Sequence, residues 1–147
     1  ISAFKIYLAE VGLLRKLCQL SPRAFGEKNR LFTEFKGALT ENFVLQSLIC
    51  QSDLTPRYWS QNNPSYEVDF LVQKENDIYP VEVKAESNTR ATSLKKFKEL
   101  FSDKVKLRIR YSLDNLKLDG DVLNIPLFMI DYTDSLIKLA LNKLGQS

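Results

Sequence analysis

Tyr66-Glu-Val-Asp-Phe-Leu-Val-Gln73 and Ile78-Tyr-Pro-Val-Glu-Val-Lys-Ala-Glu86 decide how this chain is read. Both stretches alternate. In the first, Tyr66, Val68, Phe70 and Val72 take one face, and Glu67 and Asp69 take the other. In the second, Tyr79, Val81, Val83 and Ala85 oppose Pro80, Glu82, Lys84 and Glu86. A period of two marks a half-buried strand. Lys74-Glu-Asn-Asp77 lies between them as a hairpin loop, so the strands are expected to pair antiparallel.

The polar faces of this hairpin carry the candidate chemistry. Glu82 and Lys84 share a face, about 6.6 Å apart along the strand. If the strands pair, Asp69 and Glu82 can converge. Two adjacent carboxylates repel unless a cation or a proton sits between them. A hard divalent ion such as Mg²⁺ takes oxygen ligands and keeps several waters. The two carboxylates, the Val83 carbonyl and water would satisfy it. Lys84 would then stand beside the metal-bound water, where it can orient that water or stabilise charge on a phosphate. Each piece also has a plainer reading. Val-Glu-Val-Lys suits a half-exposed strand with a cross-strand ion pair, and Glu67 and Asp69 suit a solvated face.

Upstream, apolar residues recur at helical spacing from about Arg30 to Cys50, at Leu31, Phe32, Phe35, Leu39, Phe43, Leu45, Leu48 and Ile49. Gly37 inside this long helix costs about 1 kcal/mol against Ala, which points to close packing there. Glu41 has Gly37, Ala38, Val44 and Leu45 as its helical neighbours. A carboxylate ringed by small and apolar residues needs a cation, a donor or a metal-bound water. The alternative is that Thr40 caps a new helical segment at Thr40-Glu41-Asn42. Nearer the start, Phe4-Lys-Ile-Tyr-Leu8 reads as a short strand, Leu13, Leu14 and Leu17 as a short helical patch, and Ser21-Pro22 as a turn or helix start. Arg57-Tyr-Trp-Ser60 reads as an aromatic strand, followed by a polar turn at Gln61–Ser65.

Downstream, residues 91–101 form a helix with Leu94, Phe97, Leu100 and Phe101 on one face. Val105, Leu107 and Ile109 then alternate with Lys104, Lys106, Arg108 and Arg110 as a further strand. Asp119-Gly120 signals a turn, and Asn124–Ile130 is an apolar stretch that must be covered. Thr133 to Leu144 is a closing helix, with Thr133 or Asp134 as its cap. The helix between strands requires a crossover, so part of the sheet can be parallel. The expected fold is α/β, a mixed sheet with helices on both faces.

Composition excludes more than it assigns. The chain has 147 residues, enough for one domain, with 21 Lys+Arg against 18 Asp+Glu. It has no histidine, which removes Ser-His-Asp and Cys-His hydrolysis, His-ligated zinc and an imidazole base. Neither Gly-rich phosphate loop, G-x-x-x-x-G-K-[ST] or G-x-G-x-x-G, is present. Cys18 and Cys50 are too few for a disulfide framework or a Cys-rich metal site, so a reducing, cytoplasmic setting is expected. No apolar run reaches membrane-spanning length, and no membrane partner is expected. The chain starts at Ile1 and enters an apolar stretch directly, which suggests a fragment of a longer protein.

Lys95, Lys96 and Lys98 on one helix, with Lys104, Lys106, Arg108 and Arg110 on one strand face, form a candidate phosphate-contact surface for DNA. The plainer reading, that they guard an edge strand or solvate it, is favoured by the modest net charge of +3. Tyr58 and Trp59 can stack on bases, though at helix-covered strand positions such rings belong to the core.

Asp69 followed by Glu82-Val-Lys84, in strands after a long helix bearing Glu41, resembles the PD-(D/E)-x-K restriction-endonuclease-like superfamily, whose core has this element order. A closer resemblance covers nearly the whole chain. It is similar to the C-terminal domain of unknown function of prokaryotic AAA-type ATPases, through Lys5-Ile-Tyr-Leu-Ala-Glu-Val-Gly-Leu-Leu14, Gly37-Ala-Leu-Thr-Glu-Asn-Phe-Val44, Tyr58-Trp59, Glu67-Val-Asp-Phe70, Pro80-Val-Glu-Val-Lys84, Ser93-Leu94 and Ile125-Pro-Leu-Phe128. The resemblance implies a restriction-endonuclease-like sheet, an ATPase module upstream, and a catalytic set of Asp69, Glu82 and Lys84 with Glu41 as the helical acid. Asp69 and Glu82 would bind Mg²⁺ or Mn²⁺. Ser65-Tyr66 precedes Glu67-Val-Asp69 with no Pro-Asp dipeptide, which leaves either Glu67 or Asp69 as the inner ligand. The expected function is a metal-dependent nuclease domain acting on DNA. The alternative is an inactive nucleic-acid-binding or protein-interaction module on an ATPase.

Overall fold

The alternating stretches do form neighbouring strands, and the rest of the chain is arranged around them. The computed structural model describes residues 5–18, 30–51, 56–62, 65–74, 76–85 and 92–145. In chain order these form α1 (Val11–Leu17), α2 (Arg30–Cys50), β1 (Arg57–Asn62), β2 (Ser65–Lys74), β3 (Asp77–Val83) and α3 (Thr92–Leu100). β4 (Arg108–Ser112), β5 (Lys117–Asp119), β6 (Val122–Pro126), a 3₁₀ turn (Leu127–Tyr132) and α4 (Thr133–Gly145) complete them.

Six strands make one mixed sheet in the order β1-β2-β3-β4-β6-β5. β1, β2 and β3 form an antiparallel meander. β3 pairs parallel with β4, and β4 parallel with β6. A parallel pair needs a crossover, and α3 lies in the one between β3 and β4. β5 and β6 form an antiparallel hairpin around Gly120, whose φ of 57° suits a residue without Cβ. The anticipated α/β architecture is therefore what the chain adopts.

Helices cover both faces. Val44 and Leu48 of α2 and Leu136, Ile137 and Ala140 of α4 share one apolar cluster with Phe70, Val72, Tyr79, Val81, Ile109 and Ile125. Leu94 and Phe97 of α3 share a smaller cluster with Val68 and Val105, against which Trp59 packs. Trp59 meets Phe97 edge-on, with ring centroids 5.1 Å apart, so it belongs to the core. Buried Tyr111 ties the larger cluster to α4 through its hydroxyl, 2.6 Å from that of Thr133.

These clusters correct the alternation of β2. Val68 packs under α3 while Phe70 and Val72 pack under α2 and α4, so they do not share a face. The cause is a register shift. Arg57 pairs with Leu71 and Trp59 with Val68, so two steps along β1 span three along β2. One extra residue is taken up at Asp69 or Phe70, the geometry of a β-bulge. Pro80 is tolerated beside β4 because that ladder begins only at Val81.

Other expectations also shift. Residues 5–8 belong to no strand; Asn42 of α2 accepts from the Leu8 N–H at 2.8 Å and donates to the Leu8 carbonyl at 3.1 Å. α2 runs unbroken through Thr40, whose hydroxyl donates to the Lys36 carbonyl at 2.7 Å, so no new helix starts there. β4 begins at Arg108 and lies inside the sheet, so its basic residues guard no edge. The stretch 124–130 is only partly covered: Ile125 and Ile130 are buried and Phe128 is exposed. Thr133 is itself helical and its hydroxyl donates to the Ile130 carbonyl, so α4 follows directly from the 3₁₀ turn. Ser21-Pro22, Phe4 and Glu86 lie outside the described residues.

Among the described residues there is also no close packing at Gly37, since a Cβ there would meet none of their atoms within 4 Å. Gly37→Ala is therefore expected to stabilise the chain by about 1 kcal/mol, read as a rise of a few degrees in the thermal midpoint. An unchanged or lower midpoint would contradict the open surroundings of that helix turn.

Candidate carboxylate and lysine site

The β2 bulge sits where the candidate residues gather. Asp69 turns to β3, and its Oδ2 accepts from the Val83 N–H at 2.8 Å. Lys84 follows β3, and its Nζ lies 2.8 Å from Glu82 Oε1. Lys84 also acts electrostatically on Asp69, so one ammonium serves both carboxylates. Glu82 is only 6% exposed, and its other oxygen, Oε2, is buried with no hydrogen-bond partner among the described residues.

Glu41 enters from α2. Its Oε2 accepts from the Tyr7 hydroxyl at 3.3 Å and lies 3.6 Å from Lys5 Nζ. Lys5 is the residue that sequence reasoning missed. Its ammonium pairs with Glu67 and lies 3.7 Å from Asp69 Oδ1. Lys5 thus draws Glu41, Glu67 and Asp69 around one cation. Lys5 and Tyr7, two apart in the sequence, both reach Glu41. Ile6 between them is 77% exposed.

The electrostatics follow from crowding. Burial first, then the neighbouring Asp69 charge, pushes the Glu41 carboxyl above the usual carboxylate range, and Lys5 and Tyr7 only partly offset this. Burial likewise raises Asp69 against the opposing pull of the Val83 N–H and Lys5. For Lys5, burial favours the neutral amine, but Glu67 and Glu41 outweigh it and hold the ammonium above its ordinary range. Glu41, Glu67 and Asp69 share the one ammonium of Lys5, so negative charge is in surplus around it when all are ionised.

The candidate phosphate contacts are mostly committed elsewhere. Lys98 pairs with Asp121 at 2.6 Å, Arg108 forks onto the same carboxylate, and Lys96 lies 3.3 Å from Glu99. Lys95 is exposed. Arg110 differs. It neighbours Glu82 across the parallel ladder, and its Nε is buried without a hydrogen-bond partner among the described residues. Arg110 Nε needs an acceptor and Glu82 Oε2 a donor or a cation.

Residues 36–128 match the family described as "Domain of unknown function (DUF4143)". The chain belongs to this family. The matched stretch is more than half of the chain and holds Glu41, Glu67, Asp69, Glu82 and Lys84, whereas Lys5 and Tyr7 precede it. No curated protein and no solved structure matches the chain.

The oxygens that could hold a divalent ion in this DUF4143 site are few. Among the described residues, no three His, Cys, Asp or Glu side chains are arranged to hold a metal, so an all-protein cage is not formed. Mg²⁺ does not require one, because it binds through one or two carboxylates and keeps its waters. Asp69 Oδ1 and the orphaned Glu82 Oε2 are the oxygens available, and the surplus negative charge favours a dication.

The pH dependence of stability follows from Glu41. Its folded pKa lies above the unfolded value, so its contribution is complete below the unfolded pKa and is lost as pH rises through the folded one. Glu41→Gln keeps an acceptor for Tyr7 and removes the charge. It is expected to raise the thermal midpoint at pH 7 by about 2 to 4 °C, with the difference closing towards pH 4. A destabilised variant at pH 7 would show that the Lys5 pairing outweighs burial.

Proposed function

We propose that this DUF4143 domain is a metal-dependent phosphodiesterase of the PD-(D/E)-x-K, restriction-endonuclease-like type. Its substrate in this reading is DNA, in the cytoplasm, and an AAA-type ATPase module precedes it in the same protein. One observation carries the reading: the buried Glu82, with one oxygen on Lys84 and the other unsatisfied, beside Asp69 on the bulged neighbouring strand. A strand ion pair with no further role would leave no carboxylate oxygen buried and unpaired.

Asp69 and Glu82 would hold Mg²⁺ or Mn²⁺. Such an ion, when bound, supplies charge to the phosphoryl oxygens and lowers the pKa of a bound water. The remaining work belongs to the chain. Glu82 holds the Lys84 ammonium in place, and that ammonium orients the attacking water and then stabilises charge developing on the phosphate oxygens. The Val83 N–H fixes Asp69 through Oδ2, which leaves Oδ1 towards the site. Glu41, positioned by Tyr7, accepts a hydrogen bond from water on the α2 side. Arg110, one strand from Glu82, offers its unpaired donor to a phosphate oxygen.

A second reading has one observation in its favour. Asp121 absorbs both Lys98 and Arg108, which leaves fewer free cations for nucleic acid than a nuclease groove offers. That suits an inactive module that binds a protein or nucleic-acid partner for an ATPase.

Plasmid cleavage with Mg²⁺ or Mn²⁺ separates the two. The nuclease reading expects cleavage by the parent and a loss of at least about 100-fold in Lys84→Ala. Calorimetry should show Mn²⁺ binding in the parent and in Lys84→Ala but not in Glu82→Gln. Absence of cleavage of DNA and RNA by the parent, including when joined to the ATPase module, would end it and leave the binding module.

A further inference from the structure

The geometry points to Lys5 as a displaceable internal cation: its ammonium stands so near Asp69 Oδ1 that it competes with a divalent ion held by Asp69 and Glu82, and ion binding expels the Lys5 side chain. The inference rests on the metal-dependent reading of this site and adds a control on its loading.

Three observations support it. First, the Lys5 ammonium stands where a cation would serve the cluster, paired with Glu67, 3.6 Å from Glu41 and 3.7 Å from Asp69 Oδ1. An ion drawing on Asp69 Oδ1 would meet that ammonium at close range, and two cations there repel. Second, Glu82 is more than nine-tenths buried and keeps Oε2 without a partner although Lys84 holds Oε1, so lysine pairing leaves an oxygen unsatisfied. Third, Lys5 is placed to leave. Residues 5–8 are in no strand, and the segment is fastened beyond Lys5: Tyr7 to Glu41, Leu8 to Asn42 at both backbone groups, and Ala9 to Gln46. The Lys5 side chain can swing out without breaking those bonds or opening either apolar cluster.

Such an arrangement gives the resting site a partial counter-charge of its own and weakens metal binding. A metal must bind the expelled state, so its apparent affinity is reduced by the fraction of molecules in which Lys5 is already out. Anything that holds residues 5–10 elsewhere would load the site.

Amine labelling of the full chain, read by mass spectrometry, tests this without relying on activity. Lys5 is expected to be protected in EDTA and labelled about tenfold faster in saturating Mn²⁺, normalised to exposed Lys104. Calorimetry on Lys5→Met should show Mn²⁺ binding about tenfold or more tighter than in the parent. If Mn²⁺ binds the parent but Lys5 stays protected, or if Lys5→Met binds no tighter, Lys5 orients the carboxylates rather than competing and the inference falls while the metal site stands. If neither protein takes up Mn²⁺, both fall. Labelling uses the parent alone, so a poorly folded Lys5→Met does not remove the test.

Discussion

Like charges crowded at the mouth of one hairpin set the terms for the rest of this structure. Glu41 of α2 and Glu67 and Asp69 of β2 crowd around the single ammonium of Lys5, while Glu82 of β3 pairs with Lys84. Such a group persists only if something holds its members in place and something balances them. The Val83 backbone holds Asp69, Tyr7 holds Glu41, and Lys84 holds Glu82. The balance is incomplete, as the raised carboxyls of Glu41 and Asp69 record. Apolar clusters on both sides of the sheet, anchored by residues such as Leu48, Phe70 and Leu94, supply the rigidity against which this repulsion is held.

Much of the scaffold was legible because it rests on periodicity. Leu94 and Phe97, three apart, fall on the buried side of α3, and the alternation read over 78–86 corresponds to β3, which ends at Val83. What failed, failed where periodicity is interrupted or local. The β2 alternation looked unbroken from Tyr66 to Val72, yet a bulge moves Val68 and Phe70 to opposite faces. No residue type signals that bulge, since both residues are apolar and both are buried. The stretch around Ile6 read as a strand because apolar residues alternate there, but its backbone is taken up by the Asn42 side chain. A side chain that substitutes for a neighbouring strand leaves no pattern in the segment it binds.

Of the candidate site, the hairpin pair and Glu41 were readable as unusual chemistry in ordinary positions. Lys5 was not, because its importance lies in distance. It stands 36 residues before Glu41 and 64 before Asp69 in the sequence, and only the fold brings the three together. The basic surface misled in the other direction. Lys98 and Arg108 look available in sequence but converge on Asp121, and burial of that carboxylate is outweighed by its two cations, which hold it below the usual range.

The sheet order has a kinetic consequence. β1, β2 and β3 are consecutive in both sequence and space, as are β5 and β6, so each set can form by short-range closure. The parallel seams β3–β4 and β4–β6 join these modules across longer stretches of chain, and such pairings are slow to nucleate. Glu67, Asp69, Glu82 and Lys84 all belong to the first module or follow it directly, whereas Lys5 and Glu41 arrive from outside. The early hairpin therefore carries its acidic edge with one lysine for company. Salts that screen charge should act most strongly on the step at which the segment bearing Lys5 docks.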